Sequence, residues 1–176
     1  MTKRPISITE VLGYANHDFV NYLHLIQMNL DLGRVDEAKE IIGDVSENYR
    51  LLSNINRLQL PQTSEWLHTC RWRFRALQVS IHCNVETPVT IVIDNALIQY
   101  LEKTVIHVYD HLDPFTEQRL RIDIKANDKR FSLKFDLKGL WDTSVFQVNA
   151  ANKFDVQTIE ETTKSWVYEL NAIGSE

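Results

Sequence analysis

Residues 9–33 read TEVLGYANHDFVNYLHLIQMNLDLG, and the spacing of their apolar side chains decides the fold of the first third of the chain. Leu12, Phe19, Leu23, Ile26 and Leu30 recur, with Asn16 at the one polar position of the same series, in alternating steps of four and three. That is a heptad seam, and it predicts a helix opening at Thr9 with the acidic Glu10 in its first turn. Gly33 follows Leu32 as a left-handed cap. Arg34 and Val35 make a short connection, and Asp36 stands as the N-cap of a second helix. Its stripe of Ala38, Ile41, Ile42, Val45, Tyr49, Leu52 and Ile55 runs to about Leu58, before Pro61. A connection this short forces the helices antiparallel, as a hairpin roughly 30–36 Å long. Two lone helices cannot shield broad apolar stripes on both. A second copy completing a four-helix bundle by dimerisation solves the problem, because the seam runs the whole length.

From Pro61 the pattern changes, placing a boundary near Leu60–Thr63 between a helical hairpin, residues 1–60, and a second domain, residues 61–176. Trp66, Leu67, Cys70, Phe74 and Leu77 predict a helix over 64–77. Residues 79–85 alternate like a half-buried strand. Asp94 or Asn95 can cap a long helix over 96–111, carrying Leu97, Leu101, Val105, Val108 and Leu112. Strands over 119–126 and 131–137 meet at Asn127-Asp128-Lys129, and a second hairpin joins 156–162 to 166–172. Helix, strand, helix and four strands describe a small α/β sandwich with a mixed or antiparallel sheet, making the whole chain α+β.

A net charge of -5 gives no electrostatic reason to expect nucleic acid or an anionic membrane as partner. No apolar run reaches the roughly 20 residues that span a bilayer, and Met1–Ser7 has basic residues without an apolar region behind them. Two cysteines, Cys70 and Cys83, are too few for a disulfide framework. The expectation is a cytoplasmic protein with reduced thiols.

At 100° per residue His17 lies well off the seam, on the polar side of the first helix. Asn21 stands one turn on, His24 about two turns on, and Asp18 is adjacent. A histidine that accepts a phosphoryl group must be exposed, so that a donor can approach in line. It must be unprotonated at one ring nitrogen, because imidazole and not imidazolium is the nucleophile. A carboxylate on the other nitrogen would hold the tautomer, a role open to Asp18, and Asn21 could orient phosphoryl oxygens or water. An exposed histidine on an amphipathic helix is far more often merely solvated, so these properties alone do not assign the chemistry.

The stretch His17-Asp18-Phe19-Val20-Asn21-Tyr22-Leu23-His24 resembles the phosphoacceptor box of the sporulation initiation phosphotransferase B family, from the Bacillus sporulation phosphorelay. It also resembles the dimerisation helix of citrate- and dicarboxylate-sensing histidine kinases. The local likeness covers Ala15–Arg34, and the order of segments follows the phosphotransferase beyond Pro61. It implies a phosphohistidine at His17, with Asp18 and Asn21 as its catalytic neighbours; His24, Gln27 and Met28, on or near the histidine's side of the helix, are the expected partner contacts. It implies a homodimer whose partners are response-regulator receiver domains, one donating and one accepting phosphate. The second domain resembles a degenerate histidine-kinase ATPase domain. Such domains bind ATP through an Asn-bearing helix and glycine-rich loops. Residues 96–111 contain no Asn, and the only glycines after Gly43 are Gly139 and Gly174. No ATP binding and no cofactor on this chain are therefore expected, with Mg2+ belonging to the partner receiver. The alternative is a catalytically silent kinase relative that regulates receivers or kinases by binding them.

Other groupings are weaker. His107 and His111, beside Asp110 and Asp113, form a possible metal edge without a third ligand from elsewhere. Arg71-Trp72-Arg73-Phe74-Arg75 interleaves basic and aromatic residues, and in an acidic protein reads best as a packed helix with a solvated Arg flank. Trp66, Trp72, Trp141 and Trp166 are expected in the core.

Overall fold

In the computed structural model, which describes residues 6–110, 113, 115–139 and 154–173, four helices and five strands follow one another. They are α1 (Ile8–Asp31), α2 (Val35–Arg57), α3 (Pro61–Arg73), β1 (Gln78–Val85), α4 (Asp94–Asp110), β2 (Arg119–Ala126), β3 (Arg130–Lys138), β4 (Asp155–Glu161) and β5 (Ser165–Ile173). The chain is α+β. It divides between Ser53 and Asn54 into a helical unit and a sheet unit.

Helix α1 begins earlier than its periodicity suggests, because its cap is Ser7 and not Thr9. The Ser7 hydroxyl accepts from the Glu10 amide, and the Glu10 carboxylate accepts in return from the Ser7 amide at 2.8 Å. This reciprocal box satisfies two backbone donors that the helix itself leaves open. At the other end Gly33 has φ +70, a conformation that costs glycine nothing. Helix α2 starts at Val35, so Asp36 sits in its first turn, favourable there to the helix dipole, and does not cap it.

Within the helical unit the sheltered positions fall in one row per helix. On α1 they are Val11, Tyr14, Ala15, Asp18, Tyr22 and Ile26, ending at the buried Asn29. On α2 they are Ala38, Ile41, Val45, Asn48, Leu51 and Leu52, while Tyr49 is exposed. The heptad seam lies about one residue ahead of the sheltered row on α1. Leu12, Phe19, Leu23 and Leu30 on it remain 44–56% exposed. Each of the two helices thus shelters one row of side chains and leaves a second, apolar row open.

The sheet unit takes in the last turn of α2, where Ile55 and Leu58 are buried and Asn54 donates to the Cys83 carbonyl. The strand order is β1-β2-β3-β5-β4. β1 and β2 are parallel, as the α4 crossover between them requires, and the remaining pairs are antiparallel. The sheet is therefore mixed. One face carries Leu120, Ile122, Ile124, Phe131, Leu133, Phe135, Leu137, Trp166, Tyr168 and Leu170, all buried. Leu97, Leu101, Val105 and Val108 on α4 are buried as well, at helical spacing. Phe135 stacks on Tyr168 at 4.8 Å, and Tyr100 of α4 meets the same ring edge-on at 5.8 Å.

Helix α3 spans Pro61–Arg73, not 64–77. Its N-cap residue, Leu60, offers no side-chain oxygen, and the cap comes from Asp94 in the first turn of α4. The Asp94 carboxylate accepts from the Gln62 and Thr63 amides, both at 2.9 Å, and from the Thr63 hydroxyl at 2.7 Å. Phe74 ends the helix, yet Phe74 and Leu77 stay buried, which is why the apolar spacing carries on past the helix end.

Candidate functional site

His17 is the tenth of the 24 residues of α1, with its side chain 73% exposed. The helix turns it away from both the sheltered row and the open apolar face, as 100° per residue dictates. Two neighbours converge on the same ring nitrogen. Asn21, one turn on, places Nδ2 3.2 Å from His17 Nδ1. Asp18 Oδ1 lies 3.5 Å from the same atom, and the Asp18 side chain is only 39% exposed because it belongs to the sheltered row.

The two contacts pull the imidazole proton in opposite directions. A carboxylate can only accept, so Asp18 favours the proton on Nδ1 and leaves the lone pair on Nε2. An amide nitrogen can only donate, so Asn21 in this orientation favours the reverse. With the amide turned over, Asn21 Oδ1 would accept the Nδ1 proton and act with Asp18. In the Asp18-favoured form, Nε2 is an exposed nucleophile on a rigid helix, able to meet an electrophilic phosphorus from solvent.

His24, Gln27 and Met28 are all exposed, and at 100° per residue they lie on the same outer side of α1 as His17. Met28 is 49% exposed, an adaptable apolar contact beside polar ones.

Elsewhere the sheet unit is built for packing. Helix α4 begins two residues before the predicted start, so it does contain an asparagine, Asn95, in its first turn. Asn95 is exposed, and its Oδ1 accepts from Gln99 at 3.4 Å. The half-buried Arg73 pairs with Glu102 while Arg71 and Arg75 are exposed, with Arg71 over the Trp72 ring at 4.6 Å. Trp66 and Trp166 are buried and Trp72 is half-buried, whereas Trp141 lies outside the described residues. So do Leu112 and His111, and with His111 the suggested metal edge. Among the described residues no three His, Cys, Asp or Glu side chains are grouped to hold a metal ion. No helix among them is long and apolar enough to cross a membrane. Cys70 and Cys83 are free thiols, and burial pushes each up to about 12.

Periodicity in the sequence does not single out the row through Val11, Asp18 and Asn29. Its signal is a second set of four- and three-residue steps, hidden because Asp18 and Asn29 break its apolar character.

Residues 1–58 match the family model of the sensor kinase SpoOB-type alpha-helical domain. The chain is 23% identical over 170 residues to sporulation initiation phosphotransferase B of Bacillus subtilis (strain 168), covering 93% of this chain and 88% of that one. Among solved structures, histidine kinase AdeS of Acinetobacter baumannii is similar with a TM-score of 0.46 and 13% identity, over 89% of this chain and 97% of that chain. A histidine kinase from Burkholderia phymatum STM815 gives a TM-score of 0.41 and 12% identity, over 93% and 90%. The helical segment that carries His17 is thus similar to the SpoOB-type sensor-kinase helical domain, in a chain similar over most of its length to sporulation initiation phosphotransferase B.

Proposed function

We propose that this protein is a phosphotransferase of a sporulation-type phosphorelay, with His17 as its phosphoacceptor. The observation that carries the reading is an exposed histidine, ringed at Nδ1 by Asp18 and Asn21, inside a helical domain that matches the SpoOB type. In the proposed cycle His17 Nε2 attacks the phosphorus of an aspartyl phosphate on a receiver domain. The P–O bond to that aspartate breaks and its carboxylate leaves. The Nδ1 proton is held against Asp18 while the N–P bond forms. Attack by an aspartate of a second receiver then breaks the N–P bond and returns the neutral imidazole.

Phosphate would come from a protein and not from ATP, since the sheet unit lacks glycine-rich phosphate loops in its sequence. Mg2+ would be held by the receiver, where the charge on the transferring group must be neutralised. The protein would act as a homodimer, two hairpins closing one four-helix bundle, in the cytoplasm.

The test is incubation with a radiolabelled phospho-receiver. Wild type should take up an acid-labile, base-stable label that His17→Ala does not, and should pass it to a second receiver. No label on wild type would reject transfer. A receiver that still binds under those conditions would favour the alternative, a silent binding protein.

A further inference from the structure

The open face of the hairpin is layered. Asn16, Leu23 and Leu30 stand seven apart on α1, and Val35, Ile42 and Tyr49 stand seven apart on α2; all six are exposed. At 100° per residue each row is turned by roughly 80–110° from its helix's sheltered row. Because the two helices run in opposite directions, those turns bring both rows to the same side of the hairpin. Counting outward from Gly33, Leu30 is level with Val35, Leu23 with Ile42, and Asn16 with Tyr49, each within about one residue's rise of ~1.5 Å. Two layers are apolar and one is polar. The polar layer adjoins His17.

We propose that Asn16 and Tyr49 form a hydrogen-bonded layer between two copies of this chain, fixing their register and so the placement of the two His17 rings. The proposal rests on the dimeric reading above. A second copy fits the face because rows that repeat at seven on both helices are complementary to themselves across a two-fold axis along the bundle. Leu12, Phe19, Leu23, Leu30, Val35, Ile42 and Tyr49 are each 44–56% exposed. Together they offer on the order of 700 Å², close to the ~800 Å² per partner of a stable interface. Leucine layers alone tolerate a slip along the bundle, since one apolar layer resembles the next. A carboxamide does not, because in a slipped register it is buried against leucine with no partner. In register, two Asn16 and two Tyr49 meet at one level, and the tyrosine hydroxyl donates to the Asn16 carbonyl.

Pulsed electron-spin distances on the full-length protein test this. The buried thiols of Cys70 and Cys83 resist labelling, so a nitroxide reports from a single exposed site introduced by Asp44→Cys. The otherwise unchanged chain should give one narrow distance and a dimer by sedimentation. Adding Asn16→Leu should tighten the dimer at least tenfold and introduce a second distance. Adding Tyr49→Phe should weaken it roughly tenfold, and adding both should restore the behaviour of Asn16→Leu alone. A single unchanged distance with Asn16→Leu overturns the polar layer while leaving the dimer standing. A monomer before either change is made overturns the dimer and the layer with it.

Discussion

At the scale of single residues, His17 is defined by what touches one nitrogen. Asp18 and Asn21 both address Nδ1, and whichever sets the proton sets the nucleophile. Replacing the carboxylate by an amide keeps the shape and removes the obligate acceptor. Asp18→Asn should therefore slow uptake of phosphate from a phospho-receiver by roughly a hundredfold, on the scale of a lost proton-handling group. Folding and dimerisation should not change; an undiminished rate would show that Asp18 plays no part in positioning the ring. His17, Asp18 and Asn21 are legible in the sequence as a set, because helical geometry fixes where residues one and four apart must stand. That Asp18 is half-sheltered is not legible there, since it depends on which face α2 covers. Nor does the sequence show that both neighbours compete for a single atom.

At the scale of elements, periodicity carries most of the fold, and the mismatches fall at the helix ends. Ser7 escapes it as a cap because the apolar repeat begins further along. The start of α3 escapes it for a different reason: its cap is supplied by Asp94, 31 residues beyond Thr63, and no local pattern contains it. That remote cap is also a stability element. Pro61 has no amide hydrogen to satisfy, but Gln62 and Thr63 do, and Thr63 is fully buried. Asp94→Ala would leave those donors without their acceptor. It should lower the stability of the sheet unit by about 2 kcal/mol, read as a lower urea midpoint of tryptophan fluorescence. Asp94→Asn, which keeps one accepting oxygen, should lose less. Equal losses for both variants would mean that packing and not capping is what Asp94 provides.

At the scale of the whole molecule, the two units hold themselves together by different means. The sheet unit buries its own core, from Leu97 and Leu101 of α4 to Phe135 and Tyr168 of the sheet. The helical unit leaves Leu12, Phe19, Leu23, Leu30 and Ile42 about half exposed, so its stability should depend on a second copy and therefore on concentration. The distribution of tryptophans allows the two to be read separately. All four, Trp66, Trp72, Trp141 and Trp166, lie beyond Ser53, so tryptophan fluorescence reports the sheet unit alone. Helical circular dichroism is dominated by the 24 and 23 residues of α1 and α2. Raising the protein concentration a hundredfold should move the helical melting transition upward by several degrees, as mass action stabilises an associating unit by about 2.7 kcal/mol for a hundredfold rise. The tryptophan transition should stay where it is. A helical transition that ignores concentration would mean that the hairpin is stable alone, and would remove the physical need for a dimer that its exposed seam creates.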